Sequence, residues 1–262
     1  MKTDRTDVCP AWAPPLLAIQ FLTRVPIPGV ARLSEDAVRV GLGRAAAWFP
    51  LVGALVGLIT AGVVVLVDQW WPRAVAVIVA LIVEARLTGA FHEDAVADFC
   101  DGAGGGRDPE HTRQIMKDSR IGSYGALGLL LAVGLRASLM YSLGSAIDTA
   151  IAIVAAATVG RLIAVAAMFI TPTVAGTGGL GSSVTTTLRP RDFALALVTA
   201  LPGVLPFAVT APLQLLGGLI VLVLFLVWFR ALVVRLVGGS TGDCLGFAAY
   251  VGQLILLMAA AT

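Results

Sequence analysis

The sequence predicts an all-α, polytopic integral membrane bundle of about seven transmembrane helices, and two observations lead to this fold class. Of the 262 residues, 58% are hydrophobic types and only 13% are charged, and the mean hydropathy is +0.92. Soluble domains carry about 25% charged residues. Apolar runs of about 20 residues, the length needed to cross a ~30 Å hydrocarbon core, also recur along the chain. No Pro- or Ser-rich linker divides the sequence, so we treat 1 to 262 as a single membrane domain.

Seven apolar runs are the predicted membrane helices. They cover approximately 45 to 67, 74 to 90, 123 to 143, 146 to 171, 193 to 209, 212 to 229 and 244 to 261. A shorter run, LLAIQFL at 16 to 22, is too brief to span. Prolines precede it at positions 10, 14 and 15 and argue against a cleavable signal.

The basic residues predict the orientation. If the N-terminus is cytoplasmic, only Arg73 falls in a loop on the opposite side, whereas fourteen basic residues lie on the cytoplasmic side: Lys2, Arg5, Arg24, Arg32, Arg39, Arg44, Arg107, Arg113, Lys117, Arg120, Arg189, Arg191, Arg230 and Arg235. Positive charge concentrates in cytoplasmic loops. The chain is therefore expected in the cell inner membrane, with its N-terminus in the cytoplasm, its C-terminus outside and its active site at the cytoplasmic face.

Composition also excludes some partners and cofactors. The net charge is only +2 and the basic residues flank membrane runs without forming a basic stripe, which disfavours nucleic-acid binding. The three cysteines, Cys9, Cys100 and Cys244, contain no C-x-x-C pair, so neither a disulfide nor a zinc site is indicated.

One segment, 88 to 125, holds seven of the sixteen carboxylates and both histidines. Asp94, Asp98 and Asp101 are spaced i, i+4 and i+7, so they share one face if the second membrane helix continues past the membrane surface. Three carboxylates near the C-terminal end of a helix repel one another and oppose the helix dipole. A bound Mg²⁺ would remove both costs, because Mg²⁺ prefers oxygen ligands. The alternative is a solvated acidic helix end.

Cations follow the acidic residues. The glycine-rich stretch GAGGGRDP at 102 to 109 is expected to end the acidic helix. Beyond it, Arg113, Lys117 and Arg120 have the i, i+4, i+7 spacing of one helical face and would hold the oxygens of a pyrophosphate opposite the metal. Alternatively, these cations pair with neighbouring carboxylates and anchor the segment at anionic lipid.

Three further features are candidates. His92 could act as a general base or ligand, or be a neutral helix residue. Asp243, at the start of the seventh run, is either an ordinary first-turn carboxylate or a fourth carboxylate near the metal. The segment 171 to 192, rich in Gly, Thr and Ser, is either a flexible connector or a phosphate-contacting loop.

The residues from 89 to 125 resemble the cobalamin synthase family, the adenosylcobinamide-GDP ribazoletransferases. That family carries a segment like G-x-H-x-D-G-L-A-D-x-x-D-G, then a Gly-rich turn and M-K-D-S-R-I-G. The matching positions are His92, Asp94, Asp98, Asp101, Gly102, Lys117, Asp118, Ser119, Arg120, Ile121 and Gly122. FLTRVPIP at 21 to 28, WFPLVGALVG at 48 to 57 and STGDCLGF at 240 to 247 are also similar to family segments. One departure is Ala95, where the family usually has Gly.

The resemblance implies a Mg²⁺-dependent transferase that joins adenosylcobinamide-GDP to α-ribazole, or its 5′-phosphate, and releases GMP. On this interpretation the catalytic loop is about 91 to 122. His92, Asp94 and Asp98 would be catalytic. Asp94, Asp98, Asp101 and Asp243 would bind the metal, and Lys117, Arg120 and Arg113 the substrate phosphates. The partners would be these small molecules and membrane lipid.

Two other functions compete. A CDP-alcohol phosphotransferase of lipid synthesis also uses aspartates and a divalent cation, but its D-G-x-x-A-R signature does not occur here, since Asp101 and Gly102 are followed by AGGGR. A transporter would use the charges inside the apolar runs, which are Glu84, Arg86, Arg136 and Arg161. Transporter sites lie near the membrane midplane, whereas the densest chemistry here is expected at the surface.

Overall fold

The structure is a computed structural model that describes residues 9 to 174 and 188 to 262, and the predicted all-α fold is confirmed. Within these ranges the helices are α1 (Ala13–Leu22), α2 (Glu35–Ala45), α3 (Phe49–Val67), α4 (Arg73–Thr88), α5 (Phe91–Gly105), α6 (Pro109–Met116), α7 (Ser123–Ser142), α8 (Ala146–Ile170), α9 (Pro190–Thr210), α10 (Pro212–Val237) and α11 (Gly242–Ala260). Short 3₁₀ turns cover Val30–Arg32 and Ala46–Trp48. An isolated β-bridge joins Thr173 and Ser240.

Six of the described helical stretches are long and apolar enough to cross a membrane: Glu35–Val67, α7, α8, α9, α10 and α11. The α4 and α5 helices pass the same test only as a pair, and a bend of 88° separates them. The described helices thus give six crossings, or the predicted seven if this bent pair counts as one span. The N-terminal run 16 to 22 lies in α1, which at 10 residues is short, as predicted.

Contacts between loops define the two ends of the helical bundle. At one end, called the α5 end, Arg24 N–H donates to the Leu87 carbonyl at 2.7 Å, and Arg230 Nε donates to the Ile170 carbonyl at 2.8 Å. At the opposite end, Arg73 pairs with Asp68 at 3.0 Å. Arg73 also donates to Thr149 Oγ1 at 3.1 Å and so ties the α3–α4 turn to the start of α8. The α11 helix begins at the α5 end, so the C-terminus lies at the opposite one.

The core is centred on α8, the most deeply buried spanning helix. Small side chains let other helices approach it closely, as is usual between membrane helices. A Cβ at Gly53 of α3 would lie 2.4 Å from the Ala157 carbonyl oxygen, and a Cβ at Gly160 would lie 2.6 Å from the Ala249 carbonyl oxygen of α11. Any larger side chain at either glycine would push the helices apart.

The bend between α4 and α5 corrects one prediction. The second membrane helix does not continue into the acidic segment, because Gly89 ends α4 with φ +73° and Ala90 follows with φ +56°. Glycine adopts this left-handed conformation readily and alanine rarely does. Since α5 carries Glu93 and three aspartates in 15 residues, we place it outside the membrane-spanning helices, at the α5 end of the bundle.

Candidate active site

The three aspartates of α5 lie along one side of the helix, whereas Glu93 faces the buried Arg136. A helix turns about 100° per residue, so Asp94 and Asp98 lie about 40° apart around its axis. Asp94 is exposed and Asp98 is half-buried. Burial, reinforced by the charges of Asp94, Asp243 and Asp101, raises the pKa of Asp98 to about 7. Four carboxylates are thus close enough to repel one another.

Because α5 begins at Phe91, the helix dipole acts on Asp94 in the opposite sense to the predicted one. The sequence suggested that the aspartates oppose the dipole at the C-terminal end of a helix. In the structure Asp94 lies in the first turn of α5, where the dipole stabilises negative charge. The repulsion between carboxylates remains, but the unfavourable dipole applies only to Asp101, near the C-terminal end of the helix.

Asp243 reaches the same region because α5 and α11 cross in close contact. The crossing depends on Gly246, where an added Cβ would lie 2.4 Å from the Cβ of Ala95. Thr241 caps the N-terminus of α11 by accepting from Cys244 N–H, and this fixes Asp243 in the first turn. The prediction that Asp243 lies level with the acidic segment agrees with this placement. Ala95, the departure from the family pattern, is the residue that packs on Gly246.

Asp101 has backbone partners that the sequence did not predict. Its Oδ2 accepts a hydrogen bond from Gly122 N–H and its Oδ1 accepts one from Gly125 N–H, each at 2.7 Å. These donors belong to the start of α7, which has no side-chain cap from its own N-cap residue. Asp101 therefore caps α7 from a distance. One lone pair on each carboxylate oxygen is thus used by the α7 start, and the other remains available.

The geometry fits one kind of metal site and not another. No group of three or more His, Cys, Asp or Glu side chains among the described residues is arranged to hold an ion by itself. The described carboxylates therefore do not form a cage that could hold an ion without other ligands. However, Mg²⁺ usually takes one or two carboxylates and completes its coordination with water and substrate phosphates. The Asp94 and Asp98 pair, with Asp243 beside it, fits this second kind of site.

The basic residues do not share a helical face, contrary to the prediction. The α6 helix ends at Met116, so Lys117 caps its C-terminus and Arg120 lies beyond it in a turn. Lys117 is exposed, and its charge acts on the carboxylate of Asp243. Of the three predicted phosphate-binding cations, Lys117 is the one whose charge acts on a carboxylate of the acidic cluster.

The other two predicted cations already have protein partners. Arg120 is exposed and pairs with Asp118 at 2.7 Å, and this pairing lowers the pKa of Asp118 to about 2. Arg113 donates from Nη1 to the carbonyl oxygen of Val237 at 2.5 Å, which satisfies the C-terminus of α10. The alternative of local pairing thus applies to Arg120, and Arg113 has a structural contact.

His92 lies on the other side of α5 from the aspartates. It is two residues before Asp94, which places it about 160° away around the helix, and it is buried. Burial, together with the charges of Arg161 and Arg136, lowers the pKa of His92 well below its usual value. The structure therefore does not bring His92 next to the carboxylates as a shared base.

A buried ion pair supports the site from beneath. Arg136 of α7 donates from Nη2 to both oxygens of Glu84 on α4, at 2.9 and 2.7 Å. Glu84 also accepts from Thr60 Oγ1 at 2.9 Å. Arg136 extends to Glu93 of α5, with Nη1 and Oε1 3.7 Å apart, and lies over the ring of Tyr250 on α11. This network joins α4, α5 and α7. The sequence showed Glu84 and Arg136 as charged residues within apolar runs. It did not show that these two residues pair with each other.

The segment 171 to 192 was predicted to be a connector or a phosphate-contacting loop. Residues 175 to 187 of it lie outside the described residues, so neither alternative is tested here. The described ends of the segment lie at the α5 end of the bundle, where Ser240 N–H donates to the Pro172 carbonyl at 2.8 Å.

Comparison with known proteins identifies the family. The family described as "Cobalamin-5-phosphate synthase" matches residues 14 to 261. The "Adenosylcobinamide-GDP ribazoletransferase" of Ralstonia pickettii (strain 12J) is 38% identical over 250 residues, which are 94% of this chain and 94% of the relative. The proteins of the same name from Shewanella baltica (strain OS185) and from Vibrio cholerae serotype O1 (strain ATCC 39541 / Classical Ogawa 395 / O395) are 36% and 34% identical. Their alignments cover 92% and 93% of this chain, and 90% and 91% of the relatives.

No solved structure gives a significant match. The family match spans α1 to α11 almost completely, and the relatives are covered almost end to end. A match of this extent to enzymes of cobalamin biosynthesis disfavours the lipid-synthesis and transporter alternatives. The chain therefore belongs to the cobalamin-5-phosphate synthase family and is an enzyme, a transferase of cobalamin biosynthesis.

Proposed function

We propose that this enzyme joins adenosylcobinamide-GDP to α-ribazole, or to α-ribazole 5′-phosphate, and releases GMP. The observation that carries the proposal is the name adenosylcobinamide-GDP ribazoletransferase, shared by relatives that are 34% to 38% identical over more than nine-tenths of this chain. The products are then adenosylcobalamin or its 5′-phosphate. The geometry of α5 and α11 is compatible with this chemistry, because a substrate pyrophosphate needs both a metal and a cation beside it.

Asp94 and Asp98 are the residues that would hold Mg²⁺, and Asp243 is the third carboxylate within electrostatic reach. When bound, Mg²⁺ neutralises the charge that develops on the pyrophosphate oxygens as GMP leaves. This assignment is supported by the mutual repulsion of the carboxylates, which a bound cation would relieve. Asp101 contributes indirectly by holding the start of α7 against α5.

Lys117 would bind a phosphate oxygen of the nucleotide substrate on the side away from the carboxylates. Two observations support this role: Lys117 is exposed, and its charge acts on the carboxylate of Asp243. A free ribose hydroxyl of the ribazole attacks the phosphorus attached to cobinamide, and the bond from that phosphorus to the oxygen of GMP breaks. The hydroxyl proton passes to a carboxylate on the Asp94 and Asp98 face. His92 is not assigned this role, because it lies on the opposite side of the helix.

The orientation proposed from the basic residues puts this site in the cytoplasm, in the cell inner membrane. Of the basic loop residues within the described ranges, all except Arg73 belong to the α5 end or to the adjoining helix ends. This distribution supports a cytoplasmic α5 end. The substrates are then met at the cytoplasmic surface.

The proposal is tested by measuring GMP release from the purified full-length protein in detergent. The protein receives adenosylcobinamide-GDP with α-ribazole or with α-ribazole 5′-phosphate, each with Mg²⁺ or with EDTA. We expect GMP only when the metal and one of the two ribazoles are present, and a matching amount of the coupled corrinoid. Glu110→Gln, an exposed carboxylate of α6, is the control variant and should keep full activity.

Two results would contradict the proposal. GMP release at the same rate without any ribazole would mean that the enzyme hydrolyses the nucleotide. Undiminished release in EDTA would remove the metal from the mechanism and leave the carboxylates without their assigned role.

A further inference from the structure

A small cavity lies beneath the start of α5, on the side of that helix opposite Asp94 and Asp98. We call it the Arg161 cavity. It has a volume of about 30 Å³ and lies between α1, α3, α5, α8 and α11, and its lining includes Phe21, Phe49, Phe91, His92, Arg161 and Gly242. No acidic side chain is among the described residues that line it.

Arg161 is the unusual member of this lining. Its side chain is 1% exposed, and it is charged, since arginine is not deprotonated in proteins. Its one hydrogen bond in the described part of the chain is weak, from Nη1 to the carbonyl of Ala157 in its own helix at 3.4 Å. Its Nε has no hydrogen-bond partner. A buried charge without a partner is strongly destabilising.

The nearby carboxylates are engaged elsewhere. Glu84 and Glu93 act on Arg161 through space, but within the described residues both form their ion pairs with Arg136. Thr60 takes a further lone pair of Glu84. Within the described residues Arg161 therefore forms no ion pair of its own, and it shares the charges of Glu84 and Glu93 with Arg136.

Two helix N-termini add to the positive potential of the cavity. The α5 helix begins at Phe91 and no side chain caps it, and the α11 helix begins at Gly242. Both residues line the cavity. The first turn of a helix presents unpaired N–H groups and the positive end of the dipole, so it attracts anions. A guanidinium with an unpartnered Nε–H and two helix starts therefore line one small, partly open cavity.

The size of the cavity limits what it holds. A cavity needs about 10 to 15 Å³ to admit one water molecule, so a space of about 30 Å³ admits an ion only slightly larger than water and not a phosphate group. We propose that the Arg161 cavity binds one small inorganic anion of halide size, which neutralises Arg161 and fastens the starts of α5 and α11 to α8. Because these two helices carry Asp94 and Asp243, the anion would position the acidic site without touching substrate.

The test uses the full-length protein in detergent without substrate or Mg²⁺. Its thermal unfolding is followed in potassium chloride, bromide or gluconate at equal ionic strength, and binding is measured by equilibrium dialysis with radioactive chloride in gluconate buffer. We expect about one chloride per chain and a Tm several degrees higher in chloride and bromide than in gluconate. Gluconate is too large for the cavity, and an anion that binds only the folded state raises its stability.

Variants locate the binding. Arg161→Gln should bind no chloride and should unfold at the same temperature in all three salts. Arg86→Gln, which removes an exposed arginine of α4 outside the cavity, should behave like the wild type. Ala164→Val fills the cavity but keeps Arg161, and it should lose chloride binding at least tenfold.

The wild-type dialysis decides the question even if Arg161→Gln fails to fold. If the wild type binds no chloride and unfolds at one temperature in all three salts, the cavity holds water and the proposal is wrong. If Arg161→Gln folds and binds as much chloride as the wild type, the anion lies elsewhere and the proposal is equally overturned.

Discussion

Asp101 and Gly122 lie 21 residues apart in the chain, and the carboxylate of the first accepts a hydrogen bond from the backbone N–H of the second at 2.7 Å. The same carboxylate accepts from Gly125 N–H. An aspartate that the sequence placed in a metal site therefore joins the end of α5 to the start of α7. The acidic segment contains carboxylates of two kinds, and experiments should separate them.

Asp101→Ala should lower stability, because it leaves two N–H groups of the α7 start without an acceptor. Losing a helix cap costs about 0.5 to 2 kcal/mol. Asp101→Asn, which keeps one carbonyl oxygen, should recover part of this loss. Thermal unfolding in detergent measures both effects. An unchanged Tm for Asp101→Ala would mean that the carboxylate is not a cap.

Asp94→Asn and Asp98→Asn should show the reverse pattern. Each removes a predicted metal ligand, and metal catalysis contributes several kcal/mol, so kcat should fall on the order of 100-fold or more. Stability should hold or rise, since each change relieves the repulsion among the carboxylates. GMP release and Tm are measured on the same preparations, with Glu110→Gln as control. Normal turnover in either variant would refute the metal assignment.

Lys117→Ala should raise KM for adenosylcobinamide-GDP on the order of tenfold and change KM for the ribazole little, because a charge-assisted hydrogen bond to phosphate would be lost. Arg120→Ala is the matched control, since Arg120 is exposed and already paired with Asp118. It should change both constants by less than about twofold, as expected for a surface pair. If Lys117→Ala and Arg120→Ala changed KM for adenosylcobinamide-GDP equally, Lys117 would not be the phosphate-binding residue, and the alternative of a lipid anchor would apply.

Glu84→Gln should destabilise the fold strongly, on the order of 3 to 5 kcal/mol, because it strips the buried Arg136 of its carboxylate. Arg136→Met should do the same to Glu84. The double variant should be more stable than the sum of the two single effects predicts, since neither charge remains unpaired. A double-mutant cycle on thermal unfolding measures this coupling. Additive effects would mean that the 2.7 Å contact contributes little.

Reporter fusions test the orientation. A reporter after Thr262 and one inserted at Gly144 should both be active outside the cytoplasm, because both sites lie at the end opposite α5. An insertion at Arg107, between α5 and α6, should report cytoplasm. Phosphatase activity and fluorescence of complementary reporters distinguish the two sides. A cytoplasmic signal at Thr262 together with one at Arg107 would contradict seven crossings.

The helices were largely predictable, and the site was predictable only in its parts. The run predicted from 146 to 171 is α8, Ala146–Ile170, because hydrophobic length is a local property of the chain. The bend at Gly89 and Ala90 was not predicted, since a glycine followed by alanine resembles many positions inside membrane helices. That bend moved Asp94 to the favourable end of a new helix. The predicted face of three cations is absent for a separate reason, because α6 ends at Met116, before Lys117 and Arg120.

The sequence alone determined the class of the protein, the positions of its long apolar helices and the segment rich in charged residues, because these depend on composition and on spacing along the chain. Tertiary structure decided how those residues are used. It assigned Asp101 to the α7 cap and Arg113 to Val237, and it placed His92 on the far side of α5, against Arg161. Such partners come from helices distant in sequence, and their distances depend on how the helices pack, which no local pattern specifies.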